Sequence, residues 1–125
     1  MSHVRSKNTK PELFLRSSLH RMGFRFRIHS KKLPGRPDLT LNKYRAVIFV
    51  NGCFWHGHKR CRKATIPVSN RRFWKSKIEK NIMRDRKIHR EIRRLGWRVF
   101  VVWECQLLKK KDEMVRIVAG RISLF

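Results

Sequence analysis

The chain has 125 residues and a mass of 15.2 kDa, so we expect a single domain over residues 1–125. It carries 33 Lys and Arg against 8 Asp and Glu, a formal net charge of +25. A hydrophobic content of 41% excludes a disordered chain, and no run approaches the roughly 18 apolar residues of a membrane span. A compact domain this basic most often binds nucleic acid. The simplest such protein is an RNA binder of the ribosomal type, held by charge alone.

The N-terminal part of the chain predicts a helix followed by a strand. Thr9 and Glu12 have the spacing of a capping box, and apolar residues at helical spacing follow until Gly23. Residues 24–29 then alternate apolar with basic side chains, which indicates a half-buried strand with a basic outer face.

The rest of the chain completes an α/β pattern. Short strands are predicted over residues 38–41 and 44–50, and the apolar run of the second places it centrally in a sheet. A long helix follows over about 70–95, then a strand over 97–103 and a last helix from about 112. The buried residues expected in that last helix are Met114, Ile117, Val118 and Ile122. The order α-β-β-β-α-β-α predicts an α/β fold with a mixed β-sheet flanked by helices.

A group of cysteines and histidines predicts a metal site. Cys53, His56, His58 and Cys61 lie within nine residues, and Cys105 follows the last strand. Thiolate and imidazole are the ligands that tetrahedral Zn²⁺ prefers, and four protein ligands would make the zinc structural. The spacing does not choose between the two histidines. The simpler alternative is three buried thiols beside a solvated loop.

The acidic residues are few enough to be assigned one by one. Those with ordinary surface places are Glu79, Glu91, Asp112 and Glu113, and those left over are Glu12, Asp38, Asp85 and Glu104. Asp38 follows a Pro-Gly-Arg-Pro turn and opens a strand, which makes it a candidate Mg²⁺ ligand for phosphodiester cleavage or else a turn cap. Pro37-Asp38 also begins the PD-(D/E)xK nuclease pattern. The second acid of that pattern is missing, because no acid lies between Asp38 and Glu79.

Taken together, these segments resemble the very-short-patch repair (Vsr) DNA mismatch endonucleases. The segments that match, in family order, are 5–9, 33–38, 47–56, 73–74, 81, 84–86, 95–99 and 102–105. The Gly-Cys-Phe-Trp-His block at 52–56 with the distant Trp-Glu-Cys at 103–105 is the most specific of them.

The resemblance implies a restriction-endonuclease-like fold with a structural zinc. It implies a Mg²⁺-dependent enzyme that nicks one strand 5′ to the thymine of T:G mismatches, which arise by deamination of 5-methylcytosine. The partners implied are double-stranded DNA and mismatch-repair proteins. We further expect a monomer with no membrane partner. Because the N-terminus lacks the apolar run of a signal peptide, we expect a cytoplasmic, nucleoid-associated location in a bacterial-type cell.

The resemblance also assigns roles to individual positions. The catalytic residues implied are Asp38, His56, Glu12 and Asp85. The implied Mg²⁺ ligands are Asp38 and the main-chain carbonyl of Val50. The implied Zn²⁺ ligands are Cys53, His58, Cys61 and Cys105. The implied DNA contacts are Phe54, Trp55, Trp74, Met1, Val4 and Arg36.

Simpler interpretations stay open for several of these residues. Glu12 could be only a helix cap, and the aromatic residues could belong to the core. Asn51 stands where the family often has a histidine. Two other functions are a zinc-stabilised restriction-like nuclease acting on intact duplex DNA and a non-catalytic basic binding module. An acid at position 38 within a basic groove favours an enzyme over the module.

Overall fold

A four-stranded mixed sheet organises the chain in a computed structural model, which describes residues 9–124 apart from the side chain of Lys63. The strands are β1 (Arg27–Ile28), β2 (Leu39–Leu41), β3 (Ala46–Asn51) and β4 (Arg98–Trp103). They lie in the order β1-β2-β3-β4, with β1, β2 and β3 antiparallel and β4 parallel to β3. This confirms the predicted mixed sheet and the central place of β3.

Within residues 9–124, four α-helices cover the two faces of the sheet: α1 (Lys10–Arg21), α2 (Arg71–Arg94), α3 (Glu104–Lys109) and α4 (Lys111–Ser123). The first begins as the sequence predicts, because the Thr9 hydroxyl oxygen accepts a hydrogen bond from the backbone N–H of Glu12 at 3.4 Å. The second connects β3 to β4 and matches the predicted long helix. Such a crossover allows the two strands to run parallel.

Two apolar clusters place these helices on opposite faces of the sheet. The larger cluster joins side chains of α1, α3 and α4 to one face, including Leu15, Leu19 and Val118 packed with Leu39 and Ile48. The smaller joins α2 to the other face through its buried residues Leu33, Val47 and Ile92. Alternate residues of β3 therefore point into different layers, which explains why this strand is apolar on both faces.

Three predicted details are wrong. The helix α3 was not predicted, because six residues directly after a strand show no helical period. Only two residues of the predicted strand 24–29 pair with β2. In α4 the predicted residues Val118 and Ile122 are buried, but Ile117 is 38% exposed, and Val115 and Ala119 complete the buried face instead.

Two predicted DNA contacts, Met1 and Val4, lie outside the described residues. Among residues 9–124, no helical segment combines the length and apolar character that a bilayer crossing requires.

Candidate functional site

Asp38 lies where β2 begins beside the end of β3. Its Oδ2 accepts a hydrogen bond from the backbone N–H of Val50 at 2.6 Å. In an extended strand the N–H and C=O of one residue point to the same side, so the Val50 carbonyl also faces Asp38. The two residues predicted as Mg²⁺ ligands are thus neighbours at one end of the sheet.

A second carboxylate and an imidazole join Asp38. Glu12 on α1 is 1% exposed, and its Oε2 lies 3.1 Å from an Arg16 guanidinium nitrogen and 2.7 Å from His29 Nε2. The same His29 nitrogen is 3.9 Å from Asp38 Oδ1. One ligand atom from each of Glu12, His29 and Asp38 lies within 4.8 Å of the others, a group that could hold a metal ion. Two carboxylates are a reasonable ligand pair for a divalent cation, and the imidazole hydrogen-bonds to one of them.

The environment of Asp38 disfavours its charged form. Burial raises the pKa of Asp38 to about 7, the nearby negative charge of Glu12 adds to the rise, and the Val50 N–H opposes it. A cation bound between these carboxylates would reverse the effect, because it favours the ionised form. The chemistry of the donor set therefore fits a divalent metal.

His56 and Asp85 form a second acid–imidazole pair. His56 Nδ1 and Asp85 Oδ2, on α2, are 2.5 Å apart. A carboxylate on Nδ1 fixes the ring orientation and leaves Nε2 available for proton transfer. The pair lines a cleft of about 430 Å³ that also contains Arg36, Arg84 and His89. Arg36, which lines this cleft, precedes Asp38 by two residues, and Phe49, which also lines it, precedes Val50.

The loops that carry these groups are fixed to α2 by two glycines. A Cβ atom on Gly57 would lie 2.6 Å from Ile82 Cδ1, and one on Gly35 would lie 2.5 Å from Ile88 Cγ2. Both glycines have positive φ, 60° and 76°, a conformation that L-residues rarely adopt. The backbone at these two glycines therefore packs directly against α2, which fixes the distance of the neighbouring residues His56 and Arg36 from the helix.

The cysteine group assembles at the same end of the sheet. Because β3 and β4 are parallel neighbours, with Asn51 opposite Trp103, Cys53 and Cys105 leave the sheet side by side. One ligand atom from each of Cys53, His58, Cys61 and Cys105 lies within 4.8 Å of the others. A tetrahedral zinc site places its ligand atoms roughly 3.3–3.8 Å apart, so these four residues fit Zn²⁺ with small adjustments.

The two histidines of this loop belong to different groups. His58 Nδ1 is 3.4 Å from Cys105 Sγ, whereas His56 bonds to Asp85. Burial lowers the pKa of His58, which favours the neutral imidazole that binds metals. Burial also raises the pKa of the Cys53 thiol to about 12. The ring of Trp103, the last residue of β4, stacks on the His58 ring with centroids 4.1 Å apart. This contact holds His58 in place beside the three cysteines.

The three aromatic residues predicted to contact DNA form one half-exposed cluster. Ring centroids of Phe54, Trp55 and Trp74 are 5.2–5.7 Å apart, and Phe73, 58% exposed, packs on Trp74 at 5.0 Å. The cluster lies outside both buried clusters of the fold. Its partial exposure is typical of a binding surface rather than of a core.

A hydrogen-bonded bridge ties this cluster to α2. The amide nitrogen of Asn81 donates to the Trp55 carbonyl at 2.9 Å, and Arg84 donates to the Asn81 amide oxygen at 2.8 Å. Lys77 holds its ammonium 5.7 Å from the Trp55 ring. The aromatic cluster and the His56–Asp85 pair are therefore supported by one helix.

The structure thus brings the predicted residues together in four groups: the Asp38 site, the His56–Asp85 pair, the cysteine group and the aromatic cluster. It also adds one residue, His29, that the sequence did not indicate. His29 was predicted to lie on the basic outer face of a strand. Instead the backbone turns at His29 with a φ of 48°, and the ring lies against Glu12. Asn51, which ends β3, is 6% exposed.

Comparisons with known proteins agree with one another. A family profile described as "DNA mismatch endonuclease Vsr" matches residues 1–63. The type II nicking enzyme V.XorIIP of Xanthomonas oryzae pv. oryzae is 51% identical over 107 residues, which are 86% of this chain and 78% of that enzyme. The type II nicking enzyme V.NmeAIP of Neisseria meningitidis serogroup A is 48% identical over 121 residues, 94% of this chain and 86% of its own. The DNA mismatch endonuclease Vsr of Escherichia coli K12 is 44% identical over 107 residues, 86% of this chain and 68% of its own.

Proposed function

The chain belongs to the Vsr family of DNA mismatch endonucleases, and we propose that it nicks one strand of duplex DNA 5′ to the thymine of a T:G mismatch, in a Mg²⁺-dependent reaction. Membership makes it an endodeoxyribonuclease with a restriction-endonuclease-like fold. The proposal concerns the substrate, the cation and the residues that perform the cleavage.

The observation that carries the proposal is the aromatic cluster, because two of its residues, Phe54 and Trp55, lie on the same loop as His56. Inserting a ring between base pairs costs a few kcal/mol of stacking, and a mispaired step costs less to open than a Watson–Crick step. Phe54 and Trp55 directly precede His56, so an inserted ring would bring the adjacent backbone to the acid–imidazole pair. The +25 charge supports binding of the phosphate backbone around it.

The residues we propose for Mg²⁺ binding are Asp38 and the Val50 carbonyl, with Glu12 beside them. When bound there, Mg²⁺ would activate a water molecule and stabilise the negative charge that develops on the phosphate. Asp38 is oriented for this by the Val50 N–H. The missing second acid of the PD-(D/E)xK pattern is compensated by Glu12, which reaches the site from α1.

His56 is proposed to move a proton at its Nε2. Asp85 accepts from Nδ1, holds the ring in one orientation and stabilises the imidazolium form when a proton arrives. Nε2 can then take a proton from the attacking water or give one to the leaving 3′ oxygen. The products are a 5′-phosphate and a 3′-hydroxyl.

A structural Zn²⁺ at Cys53, His58, Cys61 and Cys105 is the remaining part of the proposal. His56 lies between Cys53 and His58 in the chain, so cross-linking this loop to β4 would restrict where its ring can go. We also propose that the protein acts as a monomer at the cytoplasmic nucleoid, where mismatch-repair proteins share the substrate.

A nicking assay tests the proposal directly. Labelled duplexes that differ only in a T:G or a T:A pair are incubated with Mg²⁺ or EDTA, using the parent, Asp38→Ala and His56→Ala. The exposed Glu79→Ala serves as the control, since it removes a carboxylate outside the site.

We expect nicking of the T:G duplex in Mg²⁺ by the parent and the control, and a loss of at least about 100-fold in the two site variants. Equal cleavage of T:G and T:A duplexes would instead support the restriction-like nuclease. Tight binding without cleavage under every condition would support the binding module.

A further inference from the structure

The backbone makes an unusual turn at His29, next to the carboxylates of Glu12 and Asp38. Its φ of 48° is uncommon outside glycine, and such conformations persist where the surroundings require them. The His29 N–H donates to the Asp38 carbonyl at 3.2 Å. The turn therefore fastens the end of β1 to Asp38 and directs the ring inward.

The ring lies against both carboxylates. His29 Nε2 is 2.7 Å from Glu12 Oε2 and 3.9 Å from Asp38 Oδ1. The His29 side chain is 19% exposed and that of Glu12 is 2% exposed. Arg16 contacts the same Glu12 oxygen from within α1. Glu12 is thus held between a donor on its own helix and a donor from the neighbouring strand.

We propose that His29 is a positioning residue of the endonuclease, which holds the Glu12 carboxylate beside Asp38 so that the two can receive one divalent cation. The inference rests on the proposed function for the identity of the reaction, and it adds a residue that the nuclease pattern does not contain. His29 acts through Glu12: its Nε2 hydrogen-bonds to Glu12 Oε2 at 2.7 Å, so this nitrogen is already engaged and does not bind the cation itself.

The physical need for such a residue is clear from the charges. Two carboxylates within 4.8 Å repel one another, and without a donor between them Glu12 would rotate away from Asp38 before the cation arrives. Holding both ligands in place beforehand is what gives a metal site its affinity and geometry. Partners of metal ligands typically contribute 10–100-fold to metal affinity or activity, so an effect of about that size is expected here.

The test compares His29→Ala with His29→Gln. A Gln amide can place an N–H near the position of Nε2, whereas Ala cannot, and both residues experience the same left-handed backbone. The exposed His20→Ala on α1 is the matched control. Should His29→Ala not fold, His29→Asn replaces it, because Asn tolerates this backbone and its amide is too short to reach Glu12.

Two measurements are made on each variant. The first is Mn²⁺ affinity by calorimetry without DNA. The second is single-turnover nicking of the T:G duplex across a Mg²⁺ titration, with DNA affinity measured in Ca²⁺. We expect His29→Ala to weaken metal binding and slow nicking by about 10–100-fold with unchanged DNA affinity, and His29→Gln to restore most of both.

Unchanged Mn²⁺ affinity in His29→Ala would overturn the inference, as would a Gln variant as defective as the Ala variant. The calorimetric result does not depend on catalysis. A parent that fails to nick the T:G duplex therefore refutes the proposed function alone, and the metal affinities of the variants still decide the role of His29.

Discussion

Replacing Asp38 with Asn is expected to stabilise the protein in Mg²⁺-free buffer while abolishing nicking. Burial raises the pKa of Asp38 from its ordinary value of 3.8 to about 7, with a contribution from the charge of Glu12. Above pH 7 the folded chain must keep an ionised carboxylate where the protonated form is favoured, which costs stability. An Asn side chain carries no charge and keeps an oxygen that can accept from the Val50 N–H.

The stability gained by Asp38→Asn is expected to increase with pH, because the pKa of Asp38 is raised in the folded state. Unfolded chains have lost the Asp38 proton by pH 5, whereas folded chains keep it until about pH 7. Folding therefore binds a proton within this window, and the stability of the parent falls as the pH rises through it. The window spans about two pH units at about 1.4 kcal/mol each, so the advantage of Asp38→Asn should grow by about 2.7 kcal/mol between pH 5 and pH 8.

Urea unfolding at pH 5 and pH 8 measures this difference. The buffer contains neither Mg²⁺ nor a chelator, so that a structural metal stays bound. Asp112→Asn on α4 is the control, because it removes a carboxylate that is already exposed to water, and its effect should be the same at both pH values. A stability difference between Asp38→Asn and the parent that is equal at pH 5 and pH 8 would refute the reasoning.

Three further predictions concern the frame of the site. Cys105→Ala should lose bound zinc, measured as metal content, and lower the melting temperature by about 10 °C or more; a variant with full zinc content would contradict the ligand assignment. Gly57→Ala should cost about 1–3 kcal/mol in denaturant unfolding because its Cβ would collide with Ile82, with partial recovery in combination with Ile82→Val. Gly120→Ala has open space and should instead stabilise α4 by about 0.5–1 kcal/mol. Arg98→Ala removes hydrogen bonds to four backbone carbonyls near the end of α4 and after Tyr44, and should cost about 2–4 kcal/mol in thermal or urea unfolding; a loss below 0.5 kcal/mol would show that solvent replaces these bonds.

The parts of the fold that sequence could predict are those with a long, unambiguous period. The helix α2 spans 24 residues and has a single apolar stripe, and β3 is apolar on both faces because helices cover both sides of the sheet. Neighbouring ends of β3 and β4 also made the meeting of Cys53 and Cys105 predictable. In each case local pattern and tertiary packing select the same arrangement.

The parts that sequence could not predict depend on tertiary contacts. In α4 the apolar residues Val115 and Ile117 flank the buried stripe of Val118 and Ile122, and packing against α1 and α3 buries Val115 rather than Ile117. The alternating pattern of residues 24–29 places the His29 side chain in solvent. The left-handed backbone conformation of His29 instead turns its side chain inward, against Glu12. A histidine just before the Pro-Gly-Arg-Pro turn is the one signal that could have suggested the site, and alone it is weak.

The helix α2 connects the two halves of the proposed reaction. It carries Trp74 of the aromatic cluster and Asp85 of the acid–imidazole pair eleven residues apart, which is about 16 Å and three turns along one rigid rod. Adding a single residue between them would rotate Asp85 by about 100° relative to Trp74 and point it away from His56. In the proposed reaction the length of this helix would fix the orientation of the mismatch-sensing residue relative to the cleavage site. We therefore expect relatives to vary in length in segment 65–70 before α2 rather than within residues 74–85.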